Sequence, residues 1–246
     1  MILYKDDCFN IFPKIEDKSI DLFLLDLPYA NKKFGNCTAC AWDTPIDLEK
    51  MWVEIKRMMK PNAIIIFFCN TKFGYTLIHS NPKWFKYEIT WKKGNKKVGF
   101  LGAKKQPLKQ TEFLYIFKKE QGTYNPQMTY GNKPYKDDVR KKAKKCGVYG
   151  EDMIAKPVIN KGERYPTNIL DFSPPYSKKK TFHATEKPVD LLEWLIKTYT
   201  NEEDLVIDFC MGSGSTGQAC KNTNRKFIGI EKDEEIFKLA EQRLKN

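Results

Sequence analysis

The run Val206-Ile-Asp-Phe-Cys-Met-Gly212-Ser-Gly214-Ser-Thr-Gly217 constrains the fold of this chain more than any other segment. An apolar stretch ends on a carboxylate, passes through glycines and opens into a segment of helical character. Glycines there let the backbone approach a ligand closely, and the free N–H groups of a helix start favour an anionic group. The spacing is Gly-x-Gly-x-x-Gly, and Glu231 follows Gly212 by 19 residues at the end of the next apolar run. That equally fits a dinucleotide-binding fingerprint. Only 15 residues follow Glu231, however, too few for the second half of a dinucleotide-binding sheet. The missing strands are expected from the N-terminal region.

A second loop meets that requirement. Asp21-Leu-Phe-Leu-Leu-Asp26-Leu27-Pro28-Tyr29 reads as a buried parallel strand that delivers a carboxylate to its carboxyl end, where a proline-aromatic pair turns the chain away. In an open α/β sheet, ligands bind at such ends where the strand order reverses. If the strands before Asp26 and before Gly212 are neighbours, both loops line one crevice. Around them, helical spacing over residues 47–59 ending at Pro61, a strand at 63–68, a helix at 72–79 and strands at 87–91 and 112–117 are expected. From Pro188 the pattern is helix to Thr200, strand 205–209, helix 216–221, strand 227–230 and helix 234–244. Such alternation implies a mainly parallel sheet with helices on both faces.

Residues 119–165 have little apolar periodicity and hold the basic run Arg140, Lys141, Lys142, Lys144 and Lys145. Three regions follow: 1–118 and 166–246 as the two halves of one domain, with 119–165 between them as the expected target-recognition region, whose basic run is expected to contact a polyanionic partner. A formal net charge of +12 implies a polyanionic partner. No stretch reaches the roughly 18 apolar residues of a membrane span. Seven scattered cysteines read as reduced thiols. Together these point to a soluble, cytoplasmic protein.

At this point the residues carry a resemblance. The order Asp26-Leu27-Pro28-Tyr29, then Phe209-Cys210-Met211-Gly212-Ser213-Gly214, resembles the beta group of DNA amino-methyltransferases, whose Asp-Pro-Pro-Tyr catalytic motif precedes a Phe-x-Gly-x-Gly cofactor motif. His183-Ala-Thr185-Glu-Lys187-Pro188 is similar to the family's His-Pro-Thr-Gln-Lys-Pro, and Asp7-Cys8 to its Gly-Asp-Cys. Leu27 and Ala184 each replace a proline. The likeness covers about residues 1–119 and 160–246. It implies a Rossmann-like α/β methyltransferase sheet, with the catalytic strand before the cofactor-binding strand and a small basic insertion.

It also implies S-adenosylmethionine as cofactor and double-stranded DNA as partner, with the protein a monomer or homodimer. Asp26 and the Leu27 carbonyl would accept the two hydrogens of an exocyclic amine, favouring a pyramidal nitrogen, and Asp26 would take the proton released on methylation. Pro28 turns the loop, and Tyr29 offers a π-face to a base that has left the duplex. Glu231 would bind the ribose hydroxyls, Asp208 the methionine amino group, and Lys187 or Thr185 its carboxylate. Asp7, His183, Phe209 to Gly214 and Thr216 complete the implied cofactor set. The aspartate at position 26 favours adenine N6 over cytosine N4. Ser173-Pro174-Pro175-Tyr176 spells the cytosine-type variant but stands before the His183 motif, outside the position of the family's catalytic loop. A nicotinamide-dependent oxidoreductase and an inactive DNA-binding module are the rivals from other classes. Cys37 and Cys40 have zinc-like spacing with no second pair, so no metal is expected.

Overall fold

The structure, a computed structural model, describes residues 1–30, 44–137, 158–175 and 186–245. They divide into a larger unit, Met1–Asn125 with Asn168–Asn246, and a smaller one, Pro126–Thr167. The larger unit begins with β1 (Ile2–Lys5), α1 (Cys8–Ile11), β2 (Ile20–Leu25), α2 (Leu48–Met58), β3 (Met59–Cys69), α3 (Thr71–Ser80), β4 (Phe85–Lys92) and β5 (Thr111–Lys118). In the smaller unit β6 (Tyr135–Asp137) pairs antiparallel with β7 (Val158–Asn160). The larger unit resumes with β8 (Ile169–Asp171), α4 (Val189–Tyr199), β9 (Leu205–Asp208), α5 (Ser215–Asn222), β10 (Lys226–Glu231) and α6 (Glu234–Lys245).

Its sheet has the order β1-β10-β9-β2-β3-β5-β4-β8. β5 runs antiparallel to both its neighbours, and the other pairings are parallel. The expected junction of the two loops is present: β2 and β9 are parallel neighbours, with Leu22 opposite Val206 and Phe23 opposite Ile207. Alternation along each strand sends side chains to both faces. Phe23, Leu25, Ile65 and Phe67 pack with α2 and α3, whereas Leu22, Leu24, Ile64 and Ile66 pack with α4, α5 and α6. Two cores, one on each face, hold the sheet's carboxyl edge in place.

Local chemistry starts the helices where the sequence suggests. The Asp47 carboxylate accepts from Lys50 N at 3.1 Å, and Asn70 Oδ1 accepts from Phe73 N at 2.9 Å, each satisfying an otherwise orphaned donor. One expected boundary moves. α2 ends at Met58 and β3 starts at once, so Pro61 lies inside the strand rather than at a helix stop. Pairing with β2 shifts register there, from Ile20 opposite Met59 to Leu22 opposite Ile64, which is how a strand accommodates a proline's missing N–H.

Within the smaller unit, Thr129 bridges Arg164, whose guanidinium lies 5.1 Å from the Tyr135 ring centroid. Arg140, Lys141, Lys142, Lys144 and Lys145 lie outside the described residues, as do Cys37, Cys40, Tyr176, His183 and Thr185. Among the described residues no helix is long and apolar enough to cross a membrane, and no cluster of three or more His, Cys, Asp or Glu is placed to hold a metal.

Candidate active site

Four adjacent strands, β1, β10, β9 and β2, are parallel and so end at the same edge of the sheet. Each is followed by or ends in a carboxylate: Asp7 just beyond β1, Glu231 on β10, Asp208 on β9 and Asp26 after β2. A cavity of about 580 Å3 opens there, lined by Asp7, Asp26, Glu231, Phe209, Cys210 and Gly212 and also by Leu27, Pro28 and Tyr29. A recess of about 60 Å3 continues beneath it among Asp208, Met211, Ser213, Thr216 and Lys187. The two sequence loops thus meet at one site.

Glycine conformation shapes the β9–β10 side of the cavity. Gly212 and Gly214 have φ of +53° and +78°, which L side chains rarely adopt. At Gly212 a Cβ would meet nothing within 4 Å, because it would project into open space at the cavity wall. The Gly212 N–H donates to Glu231 Oε2 at 3.0 Å, while Glu231 Oε1 accepts from Asp233 N at 2.9 Å. Asp208 is similarly engaged, by the Thr216 hydroxyl at 2.7 Å and Cys210 N at 3.1 Å. Phe209 packs edge-on against Phe12 with centroids 5.1 Å apart, and Met211 is buried against Gly229. Asp7 caps α1 through Phe9 N at 2.9 Å.

Around Asp26 and Tyr29 lies a charged cluster that the sequence reveals only in part. Lys187 donates to Asp26 Oδ2, and its ammonium stands 5.0 Å from the Phe68 ring centroid. Lys187 therefore faces Asp26 in the structure, whereas the sequence motif suggested a cofactor carboxylate. Tyr29, stacked on Phe73, places its hydroxyl 2.8 Å from Glu112 Oε1 and 3.1 Å from Asp26 Oδ1. Lys93 pairs with Glu112 at 2.8 Å. Neither Glu112 nor Lys93 stood out in the sequence. The signal available was a glutamate at the head of an otherwise apolar strand, where it is buried on β5. Also unrecognised were Glu186 and Arg243, a buried pair at 2.6 Å that ties the segment before Lys187 to α6.

Electrostatics order these groups. Burial alone would raise the Glu112 carboxyl, but Lys187, Lys93 and the Tyr29 hydroxyl outweigh it and hold Glu112 below the ordinary range. Burial also opposes the charge on Lys187, yet Asp26 and Glu112 raise its pKa and keep it an ammonium. At Asp26 burial prevails over Lys187 and raises the carboxyl. Of the two carboxyls, Asp26 is the one that takes a proton first. A phenol carries one proton, so Tyr29 donates to the nearer Glu112 and accepts from Asp26 when Asp26 is protonated.

The Ser173-Pro174-Pro175 segment follows β8 at the far edge of the sheet, with β4, β5 and β3 between it and the strand that carries Asp26. Pro174 nonetheless lines the main cavity, and Trp91 Nε1 donates to the Phe172 carbonyl at 2.8 Å, which anchors that wall.

A mainly parallel sheet with a glycine loop, carboxylates in a row at its carboxyl edge and a large cavity above them defines an α/β enzyme built around a nucleoside cofactor. The DNA methylase family matches residues 20–242, and the chain belongs to it. Its members are S-adenosylmethionine-dependent DNA methyltransferases acting on N6 or N4 amino groups. The chain is 28% identical to the Type II methyltransferase M1.MboII of Moraxella bovis, over 97% of this chain and 94% of that one. It is 27% identical to the Type II methyltransferase M.HindIII of Haemophilus influenzae, over 98% and 94% of the two chains. The solved complex of M1.HpyAVI with S-adenosylmethionine superimposes with a TM-score of 0.66 at 25% identity, covering 100% of this chain and 99% of that one. The cytosine-N4-specific PvuII DNA methyltransferase shares the fold at 15% identity, with a TM-score of 0.67 over 98% and 85% of the chains.

Proposed function

We propose that this protein methylates the N6 amino group of adenine in double-stranded DNA, using S-adenosylmethionine held against β9 and β10. The observation that carries the cofactor assignment is the Glu231 carboxylate on the Gly212 N–H. A dinucleotide's pyrophosphate needs that donor free, and here an anion already occupies it. Asp7 and Asp26 on the cavity wall and Asp208 in the adjoining recess add carboxyl groups around the glycine loop, a setting for a ligand's amino and hydroxyl groups rather than for phosphate. The main cavity also falls within the roughly 300–1,000 Å3 of typical small-molecule sites. When bound, S-adenosylmethionine supplies an electrophilic methyl group.

The chain's own residues hold and deprotonate the amine. Asp26 and the Leu27 carbonyl accept its two hydrogens, and Tyr29 supports the base. The elevated Asp26 carboxyl accepts the proton that methylation makes acidic, then shares it with the Tyr29 hydroxyl. Glu231 holds the ribose hydroxyls and Asp208 the methionine amino group. The Arg140 to Lys145 run is assigned to phosphate contact on charge alone. Asp26, rather than Ser173, is given the catalytic role because its strand adjoins the cofactor strand β9.

The presence of Pro174 in the same cavity keeps cytosine N4 as the second reading. Incubation with methyl-labelled cofactor and mixed-sequence DNA, followed by nucleoside mass spectrometry, separates them. N6-methyladenine is the expected product. Dominant N4-methylcytosine, lost in Ser173→Ala but kept in Asp26→Ser, assigns the reaction to the other loop.

Asp208 makes a further prediction about pH. Burial pushes its carboxyl up to about 7, against the hydrogen bonds from Thr216 and Cys210. The cofactor-free fold therefore keeps a proton that the unfolded chain releases in the ordinary carboxylate range. Stability from this group is fully present below that range and is lost as pH rises towards about 7. Melting temperature should fall over that window, and Asp208→Asn should flatten the fall. A cationic amino group arriving at Asp208 should expel the proton, so calorimetry near pH 6 in buffers of different ionisation enthalpy should record proton release on cofactor binding. No release in wild type would detach Asp208 from the cofactor.

A further inference from the structure

The connection between β4 and β5 carries a feature that catalysis does not use. From Lys92 to Gln110 the sequence has seven lysines and no acidic residue. The segment is ordered by its own backbone. Val98 and Lys109 exchange hydrogen bonds at 2.9 and 3.0 Å, Lys93 N donates to the Gln110 carbonyl at 3.0 Å, and a tight turn closes through Gly102 N to the Gly99 carbonyl at 2.9 Å. Gly99, with φ +88°, reverses the chain just before Phe100. At this turn Phe100 is 77% and Leu101 92% exposed, the highest values for large apolar side chains among the described residues. An adjacent apolar pair held out on a hydrogen-bonded turn marks a contact surface more than an unfinished core.

Position says what the surface meets. Lys93, Lys96 and Val98, at the base of the turn, line the same cavity as Asp26 and Tyr29. A flipped base must enter that cavity from a duplex lying across its mouth. Proteins that open or kink duplexes combine basic side chains on phosphates with apolar wedges between bases. An anionic membrane also attracts basic-apolar loops, but nothing about a membrane requires the loop to rise from the wall of a base-sized cavity.

We propose that residues 93–110 form a finger that enters duplex DNA beside the target base: Phe100 and Leu101 insert into the stack, and Lys97, Lys104 and Lys105 hold the flanking phosphates. The proposal rests on duplex DNA being the substrate, and its test reads contact independently of methyl transfer. In the full-length protein, p-benzoylphenylalanine is placed at Phe100 and, separately, at Glu202, in the turn before β9 at the opposite edge of the sheet. Each protein is irradiated with a mixed-sequence duplex oligonucleotide. Crosslinking at least tenfold stronger from position 100 is expected; equal or absent crosslinking there overturns the finger.

In parallel, Lys97→Ala/Lys104→Ala/Lys105→Ala should reduce the slope of log affinity against log salt by about 0.9 for each phosphate that is no longer neutralised. An unchanged slope overturns the phosphate role. Phe100→Ser/Leu101→Ser should keep the slope and the cofactor Kd, yet lower kcat/KM on plasmid DNA at least tenfold. Unchanged kcat/KM overturns the wedge, as does loss of binding only to phosphatidylserine vesicles. If wild type transfers no methyl group while the crosslink and slope effects hold, the substrate reading fails and the finger stands. Methyl transfer without the crosslink gives the reverse.

Discussion

Asp26→Ala should abolish methyl transfer while leaving S-adenosylmethionine affinity nearly unchanged. Asp26 faces Tyr29 and Lys187, whereas the carboxylate that engages the glycine loop is Glu231. Loss of a positioned acid or base costs roughly 10²- to 10⁴-fold in rate, and loss of the amine's alignment adds to that. Asp26→Asn refines the result. Its amide oxygen still accepts from Lys187, but it cannot take the proton that the amine must lose. A variant as inactive as alanine assigns proton acceptance to Asp26; one that keeps most of the rate assigns it alignment alone. The measurements are single-turnover methyl incorporation and calorimetric cofactor binding. Affinity lost together with turnover would make Asp26 part of the cofactor site instead. Thermal melting must accompany both variants, because removing one carboxylate leaves Lys187 with Glu112 as the remaining carboxylate of the cluster.

Glu231→Ala should give the opposite pattern, weakening cofactor binding about a hundredfold while much of the turnover returns at saturating cofactor. Its carboxylate accepts from Gly212 N and Asp233 N, so its removal frees the glycine loop as well as any ribose contact. Hydrogen bonds to a charged group contribute about 1.5–3 kcal/mol each, and every 1.4 kcal/mol is tenfold in Kd. Gly212→Val should match it by another route. The added side chain projects into the cavity from a backbone with positive φ, so it costs strain and occupies ligand space together. Equilibrium binding of cofactor to the three proteins checks this. Unchanged affinity in both variants would remove this loop from the site.

Much of the site was legible because it lies at strand ends. β2 and β9 are largely apolar runs, and the carboxylate at the end of each, Asp26 or Asp208, has to emerge at the sheet's edge. The Gly212 and Gly214 conformations were legible for a similar reason, since a turn from strand into helix this tight demands glycine. Lys187 stood out in the sequence, but its contact with Asp26 did not. Its motif suggested a ligand's carboxylate, and the fold brings it to Asp26, 161 positions away in the chain. The β4–β5 finger was not legible, because a lysine-rich loop looks like any solvated surface until the exposure of Phe100 and Leu101 is seen.

The alternation of strands and helices, the carboxylates that end the strands, and the order of the Asp26 loop before the glycine loop are written in the chain alone. These are local properties, set by periodicity, by glycine and by capping within a few residues. That β2 lies beside β9, that β5 runs against its neighbours, and that Glu112 thereby reaches Tyr29 across 83 positions of chain emerges once the whole sheet is packed. Strand order and register depend on which apolar faces bury each other best, a property of the whole packed sheet that no window of sequence contains.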